Sequence, residues 1–122
     1  MSIDTNAVID YLDNKLPEKI ASLIDGISVQ ISVITRMELL GWANATTEQT
    51  QVLQQFINVS TVFSLEEPVI VKAIELRKKY KTKLPDAIIA ATAIVYQLTL
   101  ITRNTNDFKN ITDLKTIDPH TL

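Results

Sequence analysis

The run from Asp86 to Thr102, DAIIAATAIVYQLTLIT, leaves a chain few ways to fold. From Ala87 to Val95 every helical position but Thr92 is apolar, so a helix there has no face suited to water. The LTLIT that follows, beyond the tight Gln97–Leu98 connection, is a continuous apolar strand of the kind covered on both faces of a parallel sheet. Upstream, short β-branched runs alternate with helical periods. SIDTN reads as a very short strand ending at Asp4, followed by a helix through Ala7, Val8, Ile9, Tyr11 and Leu12. LPEKIASLIDG reads as a helix with Pro17 in its first turn and Gly26 as its stop. ISVQISVI reads as a strand, and TRMELLGWANAT and TEQTQVLQQFIN as helices, the second capped by Thr46 or Thr47. VSTVFS is a further strand, Glu66 to Tyr80 an amphipathic helix, Asp86 to Gln97 a buried helix, and LKTID a last short strand. Strands alternating with helices imply parallel pairing through crossovers, so the class is α/β with a sheet between helical layers.

A chain of 122 residues without a Pro/Gly/Ser-rich linker, repeat or low-complexity tract is expected to form one domain, 1–122. With 46% hydrophobic and 21% charged residues it is not a disordered chain. The absence of cysteine removes disulfides, thiolate nucleophiles and zinc–thiolate sites together. An acid at the fourth residue argues against a secretory signal, and a cytoplasmic location is expected. The apolar stretch from Ala87 is broken by Thr92 and Gln97, short of the roughly 18–20 residues a membrane span needs, so no membrane association is expected. The net charge of -2 argues against nucleic acid, but its distribution does not. Lys72, Arg77, Lys78, Lys79, Lys81 and Lys83 crowd into KAIELRKKYKTK with only Glu75 opposing them. Such a segment either holds phosphates or is a solvated helix end rich in lysine.

In open parallel sheets, ligands bind outside the carboxyl ends of the strands, so the acids placed there carry the functional question. Asp4 follows the first strand; Arg103, Asn104, Thr105, Asn106 and Asp107 follow LTLIT. Asp86 heads a helix antiparallel to that strand, which puts it near the Asn104–Asp107 turn. Glu38 sits in the first turns of the helix after ISVQISVI, with Ile34 and Trp42 one turn either side, on an apolar, inward face. A buried, unpaired acid costs several kcal/mol, which makes Glu38 informative. Each acid has a plain reading too: Glu38 paired with Arg36 or water, Asp86 a helix cap, Asp4 and Asp107 turn residues. Together they converge from four distant segments on one edge, and four carboxylates there need protons or cations to offset them. Oxygen ligands without cysteine or a suitable histidine select magnesium or manganese over zinc. His120, beside Pro119 near the end of the chain, is expected at the surface.

DTN at Asp4, the acid of ITRMELL at Glu38, LPDAIIAATA at Asp86 and LTLITRNTNDF at Asn104–Asp107 resemble the PIN-domain ribonucleases over nearly the whole chain. Within these they most resemble the VapC-type toxins of bacterial and archaeal toxin–antitoxin pairs. The resemblance implies an α/β/α sandwich with a central, mainly parallel sheet, usually as a homodimer. It implies a Mg²⁺- or Mn²⁺-dependent endoribonuclease restrained by a cognate antitoxin. Asp4 and Asp86 would hold the metal, Glu38 would ligate it or position the attacking water, and Asp107 would complete the acidic set. Asn104 stands where many relatives carry Asp, which shifts weight to Asp107. Asn6 and Thr102 would be polar supports for the acids or the scissile phosphate. Hydrolysis by metal-activated water would leave 5′-phosphate and 3′-hydroxyl ends. The Lys72–Lys83 segment is the natural place for the flanking RNA backbone, and Arg36 and Arg103 either touch phosphate or pair with the site acids. Leu39, Trp42 and the apolar faces near them are candidates for a dimer interface.

Other acid-bearing α/β folds fit less well. A receiver domain needs a paired acid after its first strand and a lysine after its last long one; here the sequence reads DTN and Arg103-Asn104. A haloacid-dehalogenase-type phosphatase needs an aspartate where Asn6 stands. A metal-free PIN-fold interaction module is the remaining alternative. Isolated Gly26 and Gly41 exclude a glycine-rich phosphate loop.

Overall fold

The computed structural model describes residues 1–121. Its elements in chain order are β1 (Ser2–Ile3), α1 (Thr5–Leu12), α2 (Glu18–Asp25), β2 (Gln30–Ser32), α3 (Val33–Leu40) and α4 (Thr47–Asn58). They continue with β3 (Thr61–Phe63), α5 (Glu67–Tyr80), α6 (Leu84–Val95), β4 (Leu100–Ile101), α7 (Thr105–Phe108) and β5 (Thr116–Ile117). The five strands form one sheet in the order β3-β2-β1-β4-β5, and every neighbouring pair is parallel. The chain winds outward from β1 through β2 to β3, then crosses back to lay β4 against the free side of β1. The order therefore reverses between β1 and β4, and all carboxyl ends share one edge.

Two apolar cores flank the sheet, as period-2 side-chain alternation requires. In β4, Ile101 joins Ile3, Val8, Ile20, Ile31 and Phe56 in one core, while Leu100 joins the α5, α6 and Phe108 residues in the other. Residues Ala87 to Ala93 of α6 are all buried, as their composition demands. Among the described residues no helix is long and apolar enough to cross a membrane.

Local chemistry sets the boundaries. Ser32 ends β2 early by capping α3, its hydroxyl accepting from the Ile34 backbone N–H at 3.1 Å. The strand expected over ISVQISVI is therefore only three residues long, and α3 begins at Val33. That helix stops at Leu40, where Gly41 follows, so TRMELLGWANAT is half helix and half turn. Thr46 and Gln49 close a reciprocal capping box on α4. Leu39 is only 2% exposed inside the first core, so it supplies no dimer interface; Trp42 does remain exposed.

Candidate active site

The switch point between β1 and β4 is where an open parallel sheet leaves a crevice, and Asp4 stands in it. Its Oδ1 caps α1 by accepting from the Ala7 backbone N–H at 3.0 Å. Its Oδ2 accepts from the hydroxyl of Thr102, the residue just past β4. Thr102 is fully buried, and its oxygen accepts in turn from the Asn104 backbone N–H at 3.0 Å. One hydroxyl thus ties the ends of the two central strands to the turn that follows. Burial pushes the Asp4 carboxyl above the ordinary carboxylate range; the Thr102 and Ala7 hydrogen bonds oppose this, Asp86 adds to it, and Arg103 opposes it.

Asp86 lies in the first turn of α6, whose cap is Lys83, and no side-chain hydrogen bond caps that helix. The simple capping role is thereby removed. Its pKa is raised first by burial, then by the charges of Asp107 and Glu38, with Lys83 opposing. Asp86 and Asp107 line one cavity of about 200 Å³ together with Lys81, Lys83 and Asn110.

Glu38 differs from its expected setting. Because α3 ends at Leu40, Trp42 is not one helical turn beyond it, and the buried positions of α3 are Thr35 and Leu39. Glu38 is exposed beside that face, and its Oε1 accepts from the Thr5 hydroxyl at 2.6 Å. Thr5 Oγ1 also lies 3.3 Å from Thr35 Oγ1. Asn6 is half-buried in the first turn of α1, and Asn104 heads α7.

Glu38 and Asp107 act electrostatically on Asp86, and Asp86 on Asp4, yet among the described residues no three acidic or histidine side chains are arranged to hold an ion. Magnesium is commonly bound by one or two carboxylates with water in the other positions, so a ready-made trio is not required. The donor set fits such an ion in kind: hard oxygens only, with two carboxyls whose ionisation is held back by burial and by neighbouring acids.

The basic segment divides in two. Lys72 is engaged by Glu75 at 2.9 Å, and Arg77 Nε donates to the Thr82 carbonyl at 3.3 Å. Lys78, Lys79, Lys81 and Lys83 are exposed and make no ion pair among the described residues, nor does Arg36. Lys81 and Lys83 reach the cavity that holds Asp86 and Asp107, so the cationic loop runs into the acidic one.

Arg103 pairs with Asp10, Nη1 to Oδ2 at 3.2 Å, rather than with a site acid. His120 is exposed, as expected, and its Nε2 lies 2.9 Å from the same Oδ2. Asp10 carries a signal in the sequence as well. An acid inside the otherwise apolar AVIDYL is the signal that pointed to Glu38, and it applies with more force here.

A family model described as a PIN domain matches residues 1–114. No curated protein sequence matches the chain. A solved structure of a toxin–antitoxin complex from Klebsiella pneumoniae has 32% identity and a TM-score of 0.78, covering 99% of this chain and 98% of that one. The DNA-bound VapBC from Salmonella typhimurium has 25% identity and a TM-score of 0.84, covering 96% of each chain. VapBC-1 from nontypeable Haemophilus influenzae is 25% identical with a TM-score of 0.83, again over 96% of each chain.

Proposed function

The chain belongs to the PIN-domain family, and from that premise we propose that it is the toxin of a VapBC-type pair, an endoribonuclease dependent on Mg²⁺ or Mn²⁺. The observation that carries this reading is the acidic crevice at the carboxyl ends of the strands, where Thr102 and the Ala7 N–H hold Asp4 and where Asp86 shares a cavity with Asp107. In it, Asp4 and Asp86 hold the ion, with Asp107 completing the acidic set. A divalent ion there would supply a more acidic water and positive charge for the phosphoryl oxygens. Thr102 and the Ala7 N–H fix both oxygens of Asp4, so its orientation does not depend on ligand. Thr5 fixes one oxygen of Glu38 and leaves Oε2 to accept a proton from the attacking water. Lys81 and Lys83, at the rim, hold the RNA backbone that the acids alone would repel. In-line attack at phosphorus, with departure of the 3′ oxygen, leaves a 5′-phosphate and a 3′-hydroxyl.

Incubation of the purified protein with total RNA, with manganese or with EDTA, followed by mapping of the new 5′ ends, tests this. Manganese-dependent cuts bearing 5′-phosphates are expected. Intact RNA under all conditions would leave the metal-free interaction module as the reading.

Charge reversal of Lys78 and Lys79 together should weaken RNA binding and lower the slope of log K against log salt by about 1 to 2. An unchanged slope would remove α5 from the RNA path. A cognate antitoxin and a second copy of the chain complete the proposal. Val71 and Ile74, exposed on α5, offer an apolar face for that copy. Sedimentation at low concentration should give a dimer, which Ile74→Glu disperses.

A further inference from the structure

The chemistry above leaves one buried carboxylate unused. Asp10 is 4% exposed on α1, on the same helix that Asp4 caps. Its partners come from far along the chain: Arg103 Nη1 at 3.2 and 3.4 Å from its two oxygens, and His120 Nε2 at 2.9 Å from Oδ2. His120 is brought there by the closing turn of the chain, in which the Asp118 carboxylate accepts from the His120 backbone N–H at 2.9 Å. Pro119, between them, is fully buried. A carboxylate withdrawn from water is costly unless paired and hydrogen-bonded, and here both oxygens are engaged.

The useful detail is which nitrogen Arg103 commits. Both contacts to Asp10 come from Nη1; Nε and Nη2 have no partner among the described residues, and the side chain is 47% exposed. A guanidinium is a rigid, planar fork with five N–H donors. Anchored at one nitrogen, it presents its remaining N–H groups as a fixed edge, the geometry that suits a phosphate. Arg103 follows Thr102 directly, and its charge is felt at Asp4.

We propose that Asp10 is a positioning residue: together with His120 it holds Arg103 at the rim of the acidic edge, where the free guanidinium edge grips an RNA phosphate flanking the scissile bond. This rests on the ribonuclease reading. Asp10 touches no substrate and acts only through Arg103. A merely structural Asp10 would tie α1 to the end of the chain and affect stability alone.

A double-mutant cycle separates the two roles. Affinity for a single-stranded RNA oligonucleotide is measured by fluorescence anisotropy in EDTA, where no cleavage occurs, for wild type, Asp10→Asn, Arg103→Ala and the double variant; KM, kcat and melting temperature are measured alongside. Arg103→Ala and Asp10→Asn should each weaken RNA binding about tenfold, the scale of one charge-assisted contact. The double variant should be no weaker than Arg103→Ala. Losses that multiply, or an Asp10→Asn protein that melts earlier but binds RNA as wild type does, would overturn the proposal. Arg103→Lys guards against misfolding of Asp10→Asn, since it keeps a cation for Asp10 but loses the fork. It should melt as wild type and bind RNA more weakly, and wild-type binding would equally overturn the proposal. If the wild-type protein cuts no RNA, the ribonuclease reading fails, while the binding cycle still decides whether Asp10 works through Arg103.

Discussion

Asp86→Asn should lower RNA cleavage at least about 100-fold, because even the groups that merely orient metal ligands are worth about 10- to 100-fold. Glu38→Gln should fall by a similar factor. The same Asp86 substitution should leave the protein melting higher near neutral pH, the reverse of a loss through misfolding. Burial first, and then Asp107 and Glu38, raise the folded-state pKa of Asp86. A carboxyl with a raised folded pKa favours the fold fully below its unfolded value of about 4 and loses that contribution as pH rises through the folded value. At neutral pH the ionised Asp86 therefore opposes folding, and asparagine relieves the opposition. The gain is modest because Asp86 is only half-buried and solvent screens it. It should fade as pH falls below about 4, the unfolded value, where the group is protonated in both states. Melting curves across that range, with initial rates on RNA, check both halves. Wild-type cleavage by Asp86→Asn would remove it from the site, and a variant that melts lower at neutral pH would remove the like-charge argument.

How far the sequence foretold this arrangement depends on which forces fix each part. The α6–β4 hairpin-like pair was legible because its residues have nowhere to go but inside. Ala87 to Ala93 are buried, and Leu100 and Ile101 serve opposite cores. The nearness of Asp86 to Asp107 followed from the direction of α6 relative to β4. The setting of Glu38 did not. It turned on where α3 begins and ends, and these are set by a serine hydroxyl at Ser32 and the residue after Leu40, single contacts that periodicity does not register. The Thr5–Glu38 and Thr102–Asp4 hydrogen bonds span 33 and 98 residues. Asp10, Arg103 and His120 meet across a similar range, and only folded coordinates bring them together. The resemblance marks Thr102 as a polar support, and its hydroxyl does serve Asp4, whereas nothing in the sequence marks Thr5 as the partner of Glu38.

Thr102→Val should therefore be costly out of proportion to its size. Valine keeps the branched shape and fills the same volume, so the substitution subtracts one hydroxyl and little else. That hydroxyl serves two partners: it donates to Asp4 Oδ2 and accepts from the Asn104 N–H at 3.0 Å. Each group left without a partner in a buried setting costs about 1–3 kcal/mol, which gives about 2–4 kcal/mol for the pair when the half-exposed Asn104 is counted at the lower end. Thr102→Ser, which keeps the hydroxyl and loses a methyl, should cost about 1 kcal/mol. The pH dependence follows from the same contact. The Thr102 hydrogen bond favours ionised Asp4, so its removal raises the folded pKa of Asp4 further above the unfolded one. The deficit of the valine variant is then largest at the higher pH, where ionised Asp4 lacks its donor, and shrinks as pH falls and Asp4 takes up a proton. Cleavage should fall about 10- to 100-fold, as expected when the partner that orients a metal ligand is lost. Denaturant melts of wild type, valine and serine variants near pH 7 and near pH 5 read all of this. A valine variant as stable as the serine one, with a deficit independent of pH, would show that Asp4 does not depend on Thr102.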